Sequence, residues 1–207
     1  MYKGERFNSI SHLVGASLSL IGLVVLVVMA SLQGDVWKIV SVSIYGTVLL
    51  LLYLFSTLYH SIRHPGAKAV LQRFDHLAIY LLIAGSYTPF ALVALRETVG
   101  WALFYSSWGL ATIGIIQELW IGKRTRIFSM IIYVVMGWMI LFALKPLIAV
   151  LPFAGMFWLS LGCALYTVGI VFFLIDERWG PAHGIWHLFV LGGSIAQYWC
   201  ILRYIVW

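Results

Sequence analysis

The sequence is short of charge. Only 10% of its 207 residues are Asp, Glu, Lys or Arg, where soluble globular proteins carry about 25%, so it cannot furnish a water-facing surface of ordinary size. Cysteine is scarce as well. Cys163 and Cys200 both fall inside apolar runs, and neither has the C-x-x-C spacing of a metal or redox motif. Both read as buried small hydrophobes. No Ser/Gly/Pro-rich linker or low-complexity stretch interrupts residues 1–207, which excludes a string of tethered modules and leaves a single domain.

What abounds is apolar surface: 63% of the residues are hydrophobic and the mean hydropathy is +1.00. A helix needs about 20 largely apolar residues to cross roughly 30 Å of hydrocarbon. Seven stretches qualify, at 11–32, 38–61, 74–95, 100–119, 127–144, 152–174 and 183–206. They lack the in-out alternation of barrel strands, and an open sheet cannot satisfy its backbone in lipid. The expected fold is an all-α integral membrane protein, a seven-transmembrane helix bundle. No small-residue cleavage site follows the first run, so it is expected as a retained span. Gly85 and Pro89 are expected to shape helix packing and a kink in the third span.

The net charge of +6 does not point to nucleic acid, because the basic residues occupy short connections rather than one polar helix. Membrane lipids, with their anionic head groups, are the expected partner. Lys3, Arg6, Arg63, Lys68, Arg73, Lys123, Arg124, Arg126 and Arg178 fall on the N-terminal side, against Lys38, Arg96, Lys145 and Arg203 on the other. Positive loops stay inside, so the N-terminus is expected in the cytoplasm and the C-terminus outside. Trp37, Trp101 and Trp207 at the outer ends, with Trp120 and Trp179 at the inner, fit interfacial aromatic belts.

Ionisable residues at membrane depth are costly, so their placement carries information. His60 ends the second span, Asp75 starts the third, and His183 and His187 start the seventh, all on the inner side. At about 1.5 Å per residue they share a slab roughly 10 Å thick. His183 and His187 stand four apart on one helix face, as do Ser56 and His60. Three neutral imidazoles with one open position match a catalytic Zn²⁺ site, with His60, His183 and His187 as ligands. His187 does not follow the Glu of an H-E-x-x-H zincin. His12, His64 and His76 read as interfacial or carbonyl-bonded residues, and Gln117 and Glu118 as solvated boundary residues.

At these residues the chain resembles the hemolysin III family, the bacterial branch of the progestin and adiponectin receptor family. The likeness rests on GERFNSISH at Gly4 to His12, STLYHS at Ser56 to Ser61, FDH at Phe74 to His76, AGSYTPF at Ala84 to Phe90 and HGIWH at His183 to His187. It implies a seven-span bundle in a bacterial plasma membrane, with a cytoplasmic N-terminus. It also implies a zinc held at His60, His183 and His187, with Asp75 serving the water at that metal. Related adiponectin receptors and alkaline ceramidases share the Ser, His, Asp and H-x-x-x-H pattern and are associated with hydrolysis of ceramide-type amides.

The leading expectation is therefore a membrane-embedded zinc hydrolase of a lipid amide or ester. In it Asp75 is the proton acceptor and Ser56 a helper of the oxyanion. A zinc that only staples helices, with Asp75 as fourth ligand, is the first rival; it would suit a sensor or receptor-like protein. A pore-forming hemolysin or transporter is the second, although the ionisable cluster is confined to one leaflet.

Overall fold

A computed structural model describes residues 4–120 and 126–207, the side chains of the second part from residue 127. Lys3, Lys123, Arg124 and the Arg126 side chain lie outside the described residues. The described chain is helical, without strands. Seven helices are long and apolar enough to cross a membrane. They are α1 (Arg6–Gln33), α2 (Val36–Ser61), α3 (Pro65–Ala94), α4 (Arg96–Trp120), α5 (Ile127–Val150), α6 (Phe153–Ile175) and α7 (Ala182–Val206).

Helix α3 starts at Pro65, well before the expected 74. Pro at the first helical turn lacks only an N–H that would be unpaired there anyway, and the His64 ring accepts from the Ala67 N–H at 3.4 Å. Lys68, Gln72 and Arg73 then fill a polar first section that an apolar threshold passes over. At the opposite face Asp35 caps α2, its carboxylate accepting from the N–H groups of Trp37 and Lys38. Lys38 Nζ reaches the Val206 carbonyl at 2.8 Å and ties the last turn of α7 to this end.

Helices α1, α2 and α3 pack in sequence, α7 closes against α1, and α6 lies on α7. Helix α4 packs on α3, and α5 on both α3 and α4. Without a hydrophobic drive between helices in lipid, such contacts depend on close backbone approach. Gly85 provides one: a Cβ there would stand 2.4 Å from Val48 Cγ2 of α2. Pro89 does change the helix, which continues from Phe90 to Ala94 as a wider π turn. Helix α5 is also interrupted, tightening to a 3₁₀ segment at Met139–Ala143.

Helices α5 and α6 make little contact away from their connection. Between them, α2, α3 and α7 lies a cavity of about 1100 Å³. Leu82, Ile83, Phe90, Leu141, Leu144 and Leu159 line its apolar length, and ionisable side chains crowd one end.

Candidate metal centre

The three histidines singled out by spacing converge. His60 comes from the last turn of α2, and His183 and His187 from the first turns of α7; they offer ring nitrogens within 4.8 Å of one another. Among the described residues this is the one group of three or more metal-binding side chains so close together. His60 and His187 are buried, at 2% and 1% exposure. His60 Nε2 and His183 Nε2 are 3.3 Å apart.

The opposite ring nitrogens decide what those Nε2 atoms carry. His60 Nδ1 is 2.6 Å from Glu5 Oε2, and His183 Nδ1 is 2.8 Å from Asp176 Oδ2. The hydrogen bond from His60 holds the Glu5 carboxyl down to about 2, aided by Asn8 and Lys68 against the cost of burial. Glu5 is therefore an acceptor, and Nδ1 of His60 bears the proton. Ser11 Oγ donates to the Asn8 carbonyl at 3.0 Å, so its lone pair is left for His187 Nδ1–H at 3.2 Å. With each Nδ1–H donated outward, the Nε2 lone pairs face inward. Two such lone pairs 3.3 Å apart repel unless a cation or proton lies between them. Metal-bound histidines are ordinarily held this way, their second nitrogen donating to a carboxylate or other acceptor.

Asp75 stands beside the trio but is not one of the group, so the expectation of it as a possible fourth ligand finds no support in the geometry. It lies within electrostatic reach of His60 and His183, and Ser56, 1% exposed, lies beside its carboxyl.

Other readings need correction. His12 is not interfacial or carbonyl-bonded: it is 3% exposed, stacks on His187 with ring centroids 3.5 Å apart, and neither of its ring nitrogens has a hydrogen-bond partner. Gln117 is buried rather than solvated, and Glu118 has a side chain only 11% exposed and a bond to His76 Nδ1 at 3.1 Å. Hydropathy places these residues at a span end, but interhelical packing of α3, α4 and α5 encloses them. His64 does behave as a surface residue, capping α3. Of the cysteines, Cys200 is buried, while Cys163 is partly exposed and lines the cavity.

Sequence reasoning missed Glu5, Ser11 and Asp176 as supports of the ligands. A signal existed for Glu5. Glu5, Asn8 and His12 recur at three and four residues, which places them on one helical face.

Comparison with known proteins agrees along the chain. The family model described as haemolysin-III related matches residues 1–198. The hemolysin-3 homolog of Bacillus subtilis (strain 168) is 47% identical over 204 residues, covering 99% of this chain and 95% of that protein. Hemolysin-3 of Bacillus cereus is 46% identical, with 99% and 93% covered. The human monocyte to macrophage differentiation factor is 28% identical over 182 residues, 84% of this chain and 74% of that protein. Seven spans, a histidine trio at one end and a match over nearly the whole length together place the chain in the haemolysin III family, as a multi-pass integral membrane protein related to the progestin and adiponectin receptors.

Proposed function

We propose that the protein is a membrane-embedded zinc-dependent hydrolase acting on a lipid amide or ester at the cytoplasmic leaflet. The carrying observation is the inward convergence of imidazole nitrogens on His60, His183 and His187 at the polar end of a largely apolar cavity. Neutral imidazoles suit zinc. In a tetrahedral site with Zn–N of about 2.0–2.1 Å, neighbouring ligand nitrogens lie roughly 3.3–3.4 Å apart, and His60 and His183 already have that spacing.

When bound, zinc would polarise a carbonyl as a Lewis acid and lower the pKa of water to about 7. The chain's own residues supply the rest. Glu5, Asp176 and Ser11 hold the three rings in one tautomer. Asp75 takes the proton of the attacking water and delivers it to the leaving amine or alcohol. Ser56, beside the Asp75 carboxyl, helps to stabilise the oxyanion. The gap between α5 and α6 admits an acyl chain sideways, and the apolar walls hold the carbonyl toward the histidines.

A second reading, a zinc-stabilised sensor or receptor-like protein, is favoured by one observation. The trio and its supports tie α1, α2 and α7 together at one end, which a purely structural ion would also do. The deciding experiment is zinc analysis of the purified protein combined with turnover of a panel of lipid amides and esters. About one zinc per chain with hydrolysis supports the first reading. Full zinc with no turnover of any amide or ester in the panel supports the second.

A further inference from the structure

The cavity that the metal centre lines also holds a second polar assembly that the proposed hydrolysis does not use. His76 follows Asp75 in α3 but points to α4. Its Nδ1 is 3.1 Å from Glu118 Oε1, and the other oxygen of Glu118 accepts from Ser129 Oγ at 2.8 Å. Ser129 also stands 3.2 Å from Gln117 Oε1, and Tyr133 of α5 donates to the His76 carbonyl at 3.1 Å. Three helices thus fix one imidazole in place. Its side chain remains 33% exposed, and His76, Glu118, Ser129 and Tyr133 all line the same cavity as the trio.

With Nδ1–H donated to a carboxylate, the Nε2 of a neutral imidazole is an acceptor. It is backed by negative charge, so it suits a donor and disfavours an anion. We infer that His76, held by Glu118 and Ser129, forms a headgroup subsite that selects amphiphiles bearing a hydroxyl or ammonium donor over those bearing phosphate. This deepens the reading of the cavity as a lipid site. The trio addresses the carbonyl, the apolar walls take the chain, and His76 reads the polar end. Arg73 lies on the same cavity lining and is the natural competitor, since it would favour anions.

The test uses the full chain in nanodiscs and three probes with one tail: hexadecanol, hexadecylamine and hexadecyl phosphate. Asparagine places its amide near the position of Nδ1 and glutamine near that of Nε2, which separates the two functions of the ring. His76→Asn keeps a partner for Glu118 but removes the Nε2 acceptor. It should lower the donor-to-phosphate affinity ratio about tenfold, the size of one charge-assisted hydrogen bond. His76→Gln should keep most of that ratio. Zinc content should be unchanged in both.

A ratio that stays at the wild-type value in His76→Asn would overturn the inference, leaving His76 as an interhelical tie. Selective loss of phosphate binding would overturn it as well, by assigning the place to anions. Zinc stoichiometry on the same samples separates the two proposals: absence of zinc defeats the metal reading, while the probe ratio still reports on His76.

Discussion

The residue on which the two functional readings part is Asp75. It lies outside the histidine group, so Asp75→Asn should leave zinc bound while removing the proton acceptor. The expected loss of hydrolysis is on the order of 10² to 10⁴, with metal content and melting temperature near wild type. A variant that keeps wild-type turnover would defeat the mechanism, and one that sheds zinc would recast Asp75 as a ligand. Glu5 and Asp176 make a different prediction because they act through His60 and His183. Glu5→Gln and Asp176→Asn should each weaken zinc binding by about 10- to 100-fold in chelator competition. The trio itself was legible in the sequence, since His183 and His187 share a face and His60 must meet the same leaflet. Asp176 was not, because a carboxylate at a span end looks like any solvated boundary residue until the fold sets it on an imidazole, and for Glu5 the only signal was the helical face it shares with Asn8 and His12.

Among the elements, α5 is the one whose form departs most from an apolar run. Around Gly137 its backbone ladder is broken, and the Tyr87 hydroxyl of α3 enters the break. It lies 2.7 Å from the Met136 carbonyl and 2.9 Å from that of Gly137, and it accepts from the Ile140 N–H at 3.0 Å. Backbone groups freed at membrane depth need such a partner. Tyr87→Phe should therefore cost about 1–3 kcal/mol, the penalty of stranding a buried polar group. It would be read as a lower unfolding midpoint in detergent, and an unchanged midpoint would show that α5 re-forms its own ladder. Hydropathy could find the α5 run but not its break, because Gly137 and Trp138 carry no helix-stopping signal and the partner lies 50 residues away. The early start of α3 escaped for the opposite reason: Lys68, Gln72 and Arg73 look like a loop, yet Pro65 and the His64 cap start the helix ahead of them.

For the whole molecule, seven helices long and apolar enough to span the bilayer predict termini on opposite sides of it, and the histidine trio shares the end where α1 begins. Which side that is follows from charge. In the sequence, nine of the 13 Lys and Arg residues fall on the N-terminal side of the expected spans and four on the other, and positively charged short connections are retained in the cytoplasm. The anionic inner leaflet adds about 1 kcal/mol of attraction per basic residue near its surface. An excess of five such residues, nine less four, is thus worth several kcal/mol against inversion. The prediction is an N-terminus inside, a C-terminus outside and a metal centre opening on cytoplasmic water. Fusing a reporter that is active only in the cytoplasm, and another active only outside, to each terminus in turn measures this directly. Both termini in one compartment would refute the count of seven. A reversed pair would keep the fold but move the histidines to the outer leaflet, and the proposed attack on cytoplasmic-leaflet lipids would fall with it.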